Sequence, residues 1–176
     1  MKMHGNPWRI VIAGLLMIVF CAPVLSEEGL TDGEKKQVIY KMYEDYRKSF
    51  PEVEDVTSQD AMALMKSSRV VFVDTRNAEE RKVSMLPGAI TEEEFEKHLD
   101  AYKDRVVIGY CTISYRSGKL ADRLRKKGIT MFNLKGGLLG WIHEGGKVYD
   151  AKGETKRIHV YSRKWNYVPA GYEAVW

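Results

Sequence analysis

Cysteine is scarce in this 176-residue chain, with only Cys21 and Cys111 present. Cys21 falls inside an apolar N-terminal segment, so once that segment is removed Cys111 stands alone and no internal disulfide can form. A lone thiol in an oxidising compartment is a liability unless it is buried or used. Long apolar runs are also lacking. The one candidate, Ile10–Leu25, has 16 residues and contains Pro23, short of the roughly 20 that a spanning helix needs. Lys2 and Arg9 flank it with no acidic residue, and Val24-Leu25-Ser26 precedes Glu27. This pattern predicts a secretory signal peptide over residues 1–26, with a retained N-terminal anchor as the alternative. Lipidation of Cys21 would want a small residue before it, and Phe20 is not small. The expectation is an exported protein, periplasmic or secreted, that meets a membrane only if its N-terminus is retained. An excess of one charge is missing too: beyond residue 26 there are 26 basic and 24 acidic residues, a balance that argues against nucleic acid as a partner. His98, His143 and His159 lie in separate segments without ligand spacing, which with one cysteine argues against a metal site. No cofactor is indicated, and no internal repeat or low-complexity tract occurs.

The 150 residues from Glu27 onward suit one domain with its own core. Thr31-Asp-Gly-Glu34 is a capping box that opens a helix to about Lys48, with Val38, Ile39, Met42, Tyr43 and Tyr46 at helical spacing. Val56 reads as a short strand, and Thr57 or Ser58 as the cap of a helix through Lys66 with Ala61, Leu64 and Met65 inward. Arg69–Asp74 and Val106–Tyr110 are apolar enough to be buried strands of a parallel sheet. Thr91–Glu94 reads as a second capping box, opening a helix to about Tyr102. A helix is expected over Ser117–Lys127, stopped by Gly128, then a strand over Ile129–Leu134 and a short helix over Leu138–His143. Strands alternating with helices predict an α/β fold, a parallel sheet with helices on both faces, whose ligand sits outside the carboxyl ends of the strands. Asp74 and Cys111 both fall at such ends. Beyond Gly145 the pattern changes. Lys147–Tyr149 and Arg157–Tyr161 are expected to pair as a hairpin around Gly153, followed by the aromatic residues Trp165, Tyr167, Tyr172 and Trp176. These aromatics either fill a core or form a lid over Cys111.

The segment Cys111-Thr-Ile-Ser-Tyr-Arg116 joins a strand to a helix N-terminus. Such a loop presents consecutive backbone N–H groups to its concave side, and with the helix dipole they make an anion cradle. A cysteine at its base has its thiolate stabilised, and Arg116 at the rim offers a permanent positive charge. The site is built to hold a thiolate or a group bound to its sulfur.

Three segments resemble the rhodanese family of sulfurtransferases. They are Val73-Asp-Thr-Arg76 with Glu80 and then Leu86-Pro-Gly-Ala-Ile90; Cys111-Thr-Ile-Ser-Tyr-Arg-Ser117; and Asn133-Leu-Lys-Gly-Gly-Leu-Leu-Gly-Trp141. The resemblance implies a rhodanese-like parallel sheet flanked by helices, in a single-domain exported member. It divides the chain into an N-terminal helical extension at 27–52, a rhodanese domain at 53–146 and an aromatic-rich C-terminal extension at 147–176. It further implies a sulfurtransferase or sulfane-sulfur carrier. Cys111 would be the nucleophile that becomes a persulfide and passes its sulfur on in a second half-reaction. Thr112, Ile113, Ser114, Tyr115, Arg116 and Ser117 would form the persulfide-binding loop, with Asp74 and Arg76 as a supporting pair. Partners would be a small sulfur-containing donor and a thiol or cyanide-like acceptor, with a protein partner as a further candidate.

The loop spacing is Cys-x4-Arg, one residue tighter than the Cys-x5-Arg cradle of tyrosine phosphatases and arsenate-handling enzymes. Ser117 stands where those enzymes need arginine. The chain departs from the family's usual pattern at Ser84-Met85-Leu86, where Gly-His-Ile is usual, and at Ser114, where the loop often has glycine. Thr112, Ile113 and Tyr115 give a neutral, partly apolar rim, which suits polysulfide, a small persulfide or a docked protein better than thiosulfate. The alternative from another class is a non-catalytic binding module, or a thiol redox sensor in which Cys111 is oxidised. Lys119, Arg123, Arg125, Lys126 and Lys127 read as a solvated basic face with a docking role as the rival account.

Overall fold

The computed structural model describes residues 29–66 and 69–176, and the expected export segment lies outside them. The chain opens with α1 (Asp32–Arg47), whose Thr31–Glu34 capping box forms in both directions. Five strands make the main sheet: β1 (Asp55–Val56), β2 (Val70–Asp74), β3 (Ile90–Thr91), β4 (Val106–Tyr110) and β5 (Phe132–Leu134). Their order is β1-β5-β4-β2-β3 and every pairing is parallel. The connecting helices are α2 (Ser58–Met65), α3 (Ala78–Val83), α4 (Glu92–Lys97), α5 (Tyr115–Arg125) and α6 (Gly137–His143).

Alternation along the strands splits the core in two. Phe72 and Ile108 pack with Ile39 of α1, Ala61 of α2 and Trp141 of α6. Val71, Val73 and Val107 pack instead with Phe95 of α4 and with Leu120 and Leu124 of α5. Because side chains of a strand point alternately to opposite faces, these are two layers of helix on one parallel sheet, the α/β arrangement that the sequence implies. Each fully buried side chain of this kind contributes about 1.5–3 kcal/mol.

Several boundaries move. The expected helix Thr91–Tyr102 breaks at His98, where φ is −128° and ψ 38°, and continues only as a 3-10 turn over Leu99–Tyr102. The strand expected over Ile129–Leu134 pairs only from Phe132. The helix expected from Ser117 begins two residues earlier, at Tyr115. α3 and β3 come from no periodic signal, being too short to show one, although Asn77 and Glu80 close a reciprocal capping box that the sequence carries as N-x-x-E.

The C-terminal hairpin is a correction of partner. β6 (Val148–Asp150) pairs antiparallel with β7 (Gly153–Thr155), a tighter turn in which Asp150 accepts from the Lys152 amide. β8 (Arg157–His159) therefore pairs elsewhere, in parallel with β9 (Glu173–Val175). Ile158, Val160 and Val168 are buried in the same cluster as Leu134 and Trp141. The last thirty residues are thus packed onto the sheet domain and close part of its core.

Candidate active site

Cys111 directly follows β4, which pairs with β2 and β5. Its backbone and that of Thr112 are clamped from below by α6: Leu138 N–H donates to Cys111 O at 2.8 Å and Leu139 N–H to Thr112 O at 3.2 Å. Across a trans peptide the C=O and N–H point opposite ways, so the amides of Thr112 and Ile113 face away from α6. Among the described residues, the amides of Ile113, Ser114, Tyr115 and Arg116 find no protein acceptor, and the first helical bond of α5 runs from Gly118 N–H to Ser114 O. The loop therefore keeps a set of unspent donors beside Cys111 at a helix N-terminus.

The clamp depends on Gly137. A Cβ there would lie 2.5 Å from Cys111 O and 2.9 Å from Ser114 N, and its φ is +58°. Only glycine allows α6 to come so close. Ser114 holds the middle of the loop at φ 70°, a left-handed conformation that favours glycine. Its hydroxyl donates to Leu134 O, and its carbonyl accepts from Asn133 Nδ2 at 3.2 Å. Ser117 in turn donates to Asn133 Oδ1 at 2.7 Å, so Ser117 is a strut within the loop.

Asp74 and Arg76 form a fully buried ion pair. Arg76 Nη2 lies 2.7 Å and Nε 2.9 Å from the Asp74 carboxylate, and Arg76 also donates to Ser84 O at 2.6 Å. The Tyr110 hydroxyl donates to the same carboxylate at 2.5 Å. Burial pushes the Tyr110 phenol well above its usual range, and the charge of Asp74 adds to this. The pair ties the end of β2 to the end of β4 and does not contact the thiol loop's donors, so it supports the loop.

Arg116 behaves differently from the sequence expectation. Its guanidinium is held bidentate by Glu80, at 2.6 and 2.7 Å, and also donates to Thr112 Oγ1 at 3.2 Å. Glu80 is completely buried. Burial works against its charge, but the Arg116 hydrogen bonds, the Asn77 N–H and the charges of Arg116 and Arg76 hold its carboxyl below the ordinary carboxylate value. Burial likewise opposes the Arg116 charge, and Glu80 and the charge of Cys111 outweigh it. The rim cation is thus shared between Glu80 and the sulfur and is not free. Glu80 is the site residue that reasoning from the loop alone did not assign a role, although its place in the first signature was a signal.

Above the thiol lies a pocket of about 380 Å³ lined by Cys111, Thr112, Ile113, Tyr115 and Arg116, and also by Tyr46, Tyr161 and Trp165. Tyr46 comes from α1 and the last two from the C-terminal extension. The rings meet in sequence: Tyr46 to Tyr115 at 5.2 Å, Tyr46 to Trp165 at 6.5 Å and Trp165 to Tyr161 at 5.4 Å between centroids. Arg116 sits 5.7 Å from the Tyr161 ring. Cys111 is only 3% exposed. Of the terminal aromatics, Trp165 both lines the pocket and packs against the core, Tyr167 and Tyr172 pack against the core, and Trp176 is exposed; Tyr161, at the end of the preceding strand segment, lines the pocket from its exposed side. His143 is turned away, bonding Tyr167 O through its ring nitrogen.

The parallel α/β sheet thus carries a cysteine at the carboxyl end of an inner strand, followed by a loop of unspent amides that enters a helix. The chain belongs to the rhodanese-like domain family, whose model matches residues 57–144. It is similar, at 33% identity over 94 residues, to the tRNA uridine(34) hydroxylase of Xanthomonas axonopodis pv. citri. That match takes in 47% of this chain, which spans only 38% of the length of that curated relative. Among solved structures it resembles a rhodanese-related protein from Thermoplasma volcanium, 20% identical with a TM-score of 0.48, over 54% of this chain and 96% of that one. A second is the thiosulfate sulfurtransferase from Pseudomonas aeruginosa, 16% identical with a TM-score of 0.48, over 68% and 23% of the two chains. Tyr46, Tyr161 and Trp165 all lie outside the matched segment.

Proposed function

We propose that this protein is a sulfurtransferase or sulfane-sulfur carrier working outside the cytoplasm, with Cys111 as the group that carries sulfur. The observation that supports this reading best is the row of unspent loop amides beside Cys111. The Cys111 thiolate attacks the outer sulfur of a donor. A new Sγ–S bond forms, the donor's own S–S bond breaks, and the donor's remaining sulfur group leaves with the electron pair. The amides of Ile113 to Arg116 then hold the terminal persulfide sulfur, which carries the negative charge. In the second half-reaction a thiolate or cyanide attacks that terminal sulfur and frees the Cys111 thiolate, so no external oxidant is consumed. Small sulfur compounds are the partners that the pocket admits, and a protein could serve as acceptor at its mouth.

Intact mass of the protein after incubation with polysulfide, and again after cyanide, tests the reading. A gain of one sulfur atom that cyanide removes is expected. Cys111→Ser should show no gain while keeping the wild-type unfolding midpoint. Unchanged loading in that variant, or no loading of folded wild-type protein with a free thiol, would overturn the assignment.

A further inference from the structure

The roof over Cys111 does not come from the segment that the family shares. It is assembled from Tyr46 on α1 and from Tyr161 and Trp165 in the C-terminal extension. Its chemistry is one-sided. Among the described residues, Arg116 is the one basic side chain lining the pocket, and it is already engaged bidentate by Glu80 and stacked against Tyr161. Lys119 approaches the Tyr115 ring at 5.6 Å but does not line the pocket. Tyr161 is held in its position by a left-handed backbone, φ 67°, unusual for a residue with a side chain. Its amide is fixed by His159 Nδ1 at 3.1 Å. A strained backbone that persists marks a position that the surrounding structure over-determines, and such positions cluster at functional sites.

From this we infer that Tyr161 and Trp165 are specificity-determining residues for the sulfur transfer proposed above, selecting sulfane sulfur carried on an uncharged, apolar or aromatic organic body over compact inorganic anions. The inference rests on that reaction and names its donor class. The donor is an organic persulfide in its protonated form, R–S–S–H. Cys111 thiolate takes the outer sulfur, its hydrogen remaining on it, and R–S⁻ departs with the electron pair of the broken S–S bond. No charge is brought in by the donor, the charge of the Cys111 thiolate leaves on R–S⁻, and R lies against the rings; the persulfide left on Cys111 then gives its proton to water and becomes the anion that the loop amides hold. Thiosulfate would instead bring a dianion and expel sulfite, also a dianion, beneath the same roof. The loop amides and the share of the Arg116 charge that faces the sulfur serve the group on Cys111, so the sulfonate end of thiosulfate, lying against the rings, meets no partner of its own, and a charge taken from water needs one.

The test compares three donors on the full protein: benzyl persulfide generated in solution, glutathione persulfide and thiosulfate. The rate of cyanide-removable sulfur appearing on Cys111 is read by intact mass. Wild type should load from benzyl persulfide faster than from thiosulfate by about tenfold or more, the size of discrimination that an apolar pocket supplies, with glutathione persulfide between them. Tyr161→Ala and Trp165→Ala should each shrink the benzyl-to-thiosulfate ratio, and Trp165→Phe should retain most of it. Comparable loading of wild type by benzyl persulfide and thiosulfate overturns the inference while leaving the transfer reaction standing. So does a ratio unchanged in both alanine variants. No loading from any donor ends the reaction and the inference together.

Discussion

Ser114 shows how a loop residue is held against its own preference. A side chain in the left-handed region costs about 1–2 kcal/mol, and a single hydrogen bond returns about 1 kcal/mol. The bond from Ser114 Oγ to Leu134 O is therefore of the right size to offset the conformation. Ser114→Ala keeps the strain and loses the bond, so it should lower stability by about 1 kcal/mol. Ser114→Gly loses both and should stay near wild type; urea unfolding of the two variants side by side checks this, and equal losses would refute the offset. Glu80 poses the opposite problem, a buried carboxylate that needs its partner. Arg116→Ala would strand it at a cost of about 3 kcal/mol. The same group makes stability depend on pH. Its folded value lies below the ordinary 4.5, so the unfolded chain takes up its proton first as pH falls. Its contribution is fully present above that ordinary value and is lost as pH falls through the depressed one. Below about pH 4.5 the unfolding free energy of wild type should drop more steeply than that of Glu80→Gln; parallel curves would dissociate Glu80 from acid stability.

Among the elements, the contact of α6 with the thiol loop matters most to the chemistry. The α6 amides at Leu138 and Leu139 take the carbonyls of Cys111 and Thr112, which turns the loop's own amides outward. Gly137→Ala would drive a methyl group into Cys111 O and Ser114 N at a positive φ. A thermal midpoint several degrees below wild type is expected, from a cost of about 2 kcal/mol, together with loss of sulfur loading. Retained loading at wild-type rate would show that the clamp is dispensable. Most elements were legible beforehand. α1, β2, β4 and α5 carry strong caps or unbroken apolar runs, and those signals are local. The failures were short or non-local elements. α3 and β3 have six residues and two, too few for a period to show. β8 found its partner sixteen residues downstream across a loop, whereas hairpin reasoning looks for the nearest strand.

The whole molecule depends on its last thirty residues more than their position suggests. Ile158 and Val160 are fully buried and Val168 nearly so, within the cluster that includes Ile108 and Trp141. A chain ended after Gly146 would expose that face. It should lose cooperative unfolding and bind a hydrophobic dye, as loosely packed states do. A truncated chain with a sharp, wild-type-like transition would show instead that the chain up to Gly146 folds without its last thirty residues. The same segment supplies Tyr161 and Trp165, so core closure and pocket roof are built by one piece of chain.

The position of Cys111 at a strand end, the cradle of amides beside it and the α/β order were already written in the linear chain, because each arises from neighbours: a strand end, consecutive amides and the start of a helix. The tight Cys-x4-Arg spacing belongs to this local layer too. Folding settled the rest. Glu80 lies 36 positions from Arg116, and Tyr46 lies well over a hundred from Trp165, so neither pairing leaves a periodic or spacing signal. Whether the arginine is a free anion hook or a neutralised strut, and whether the late aromatics fill a core or cover a thiol, depends on which distant surfaces burial brings together.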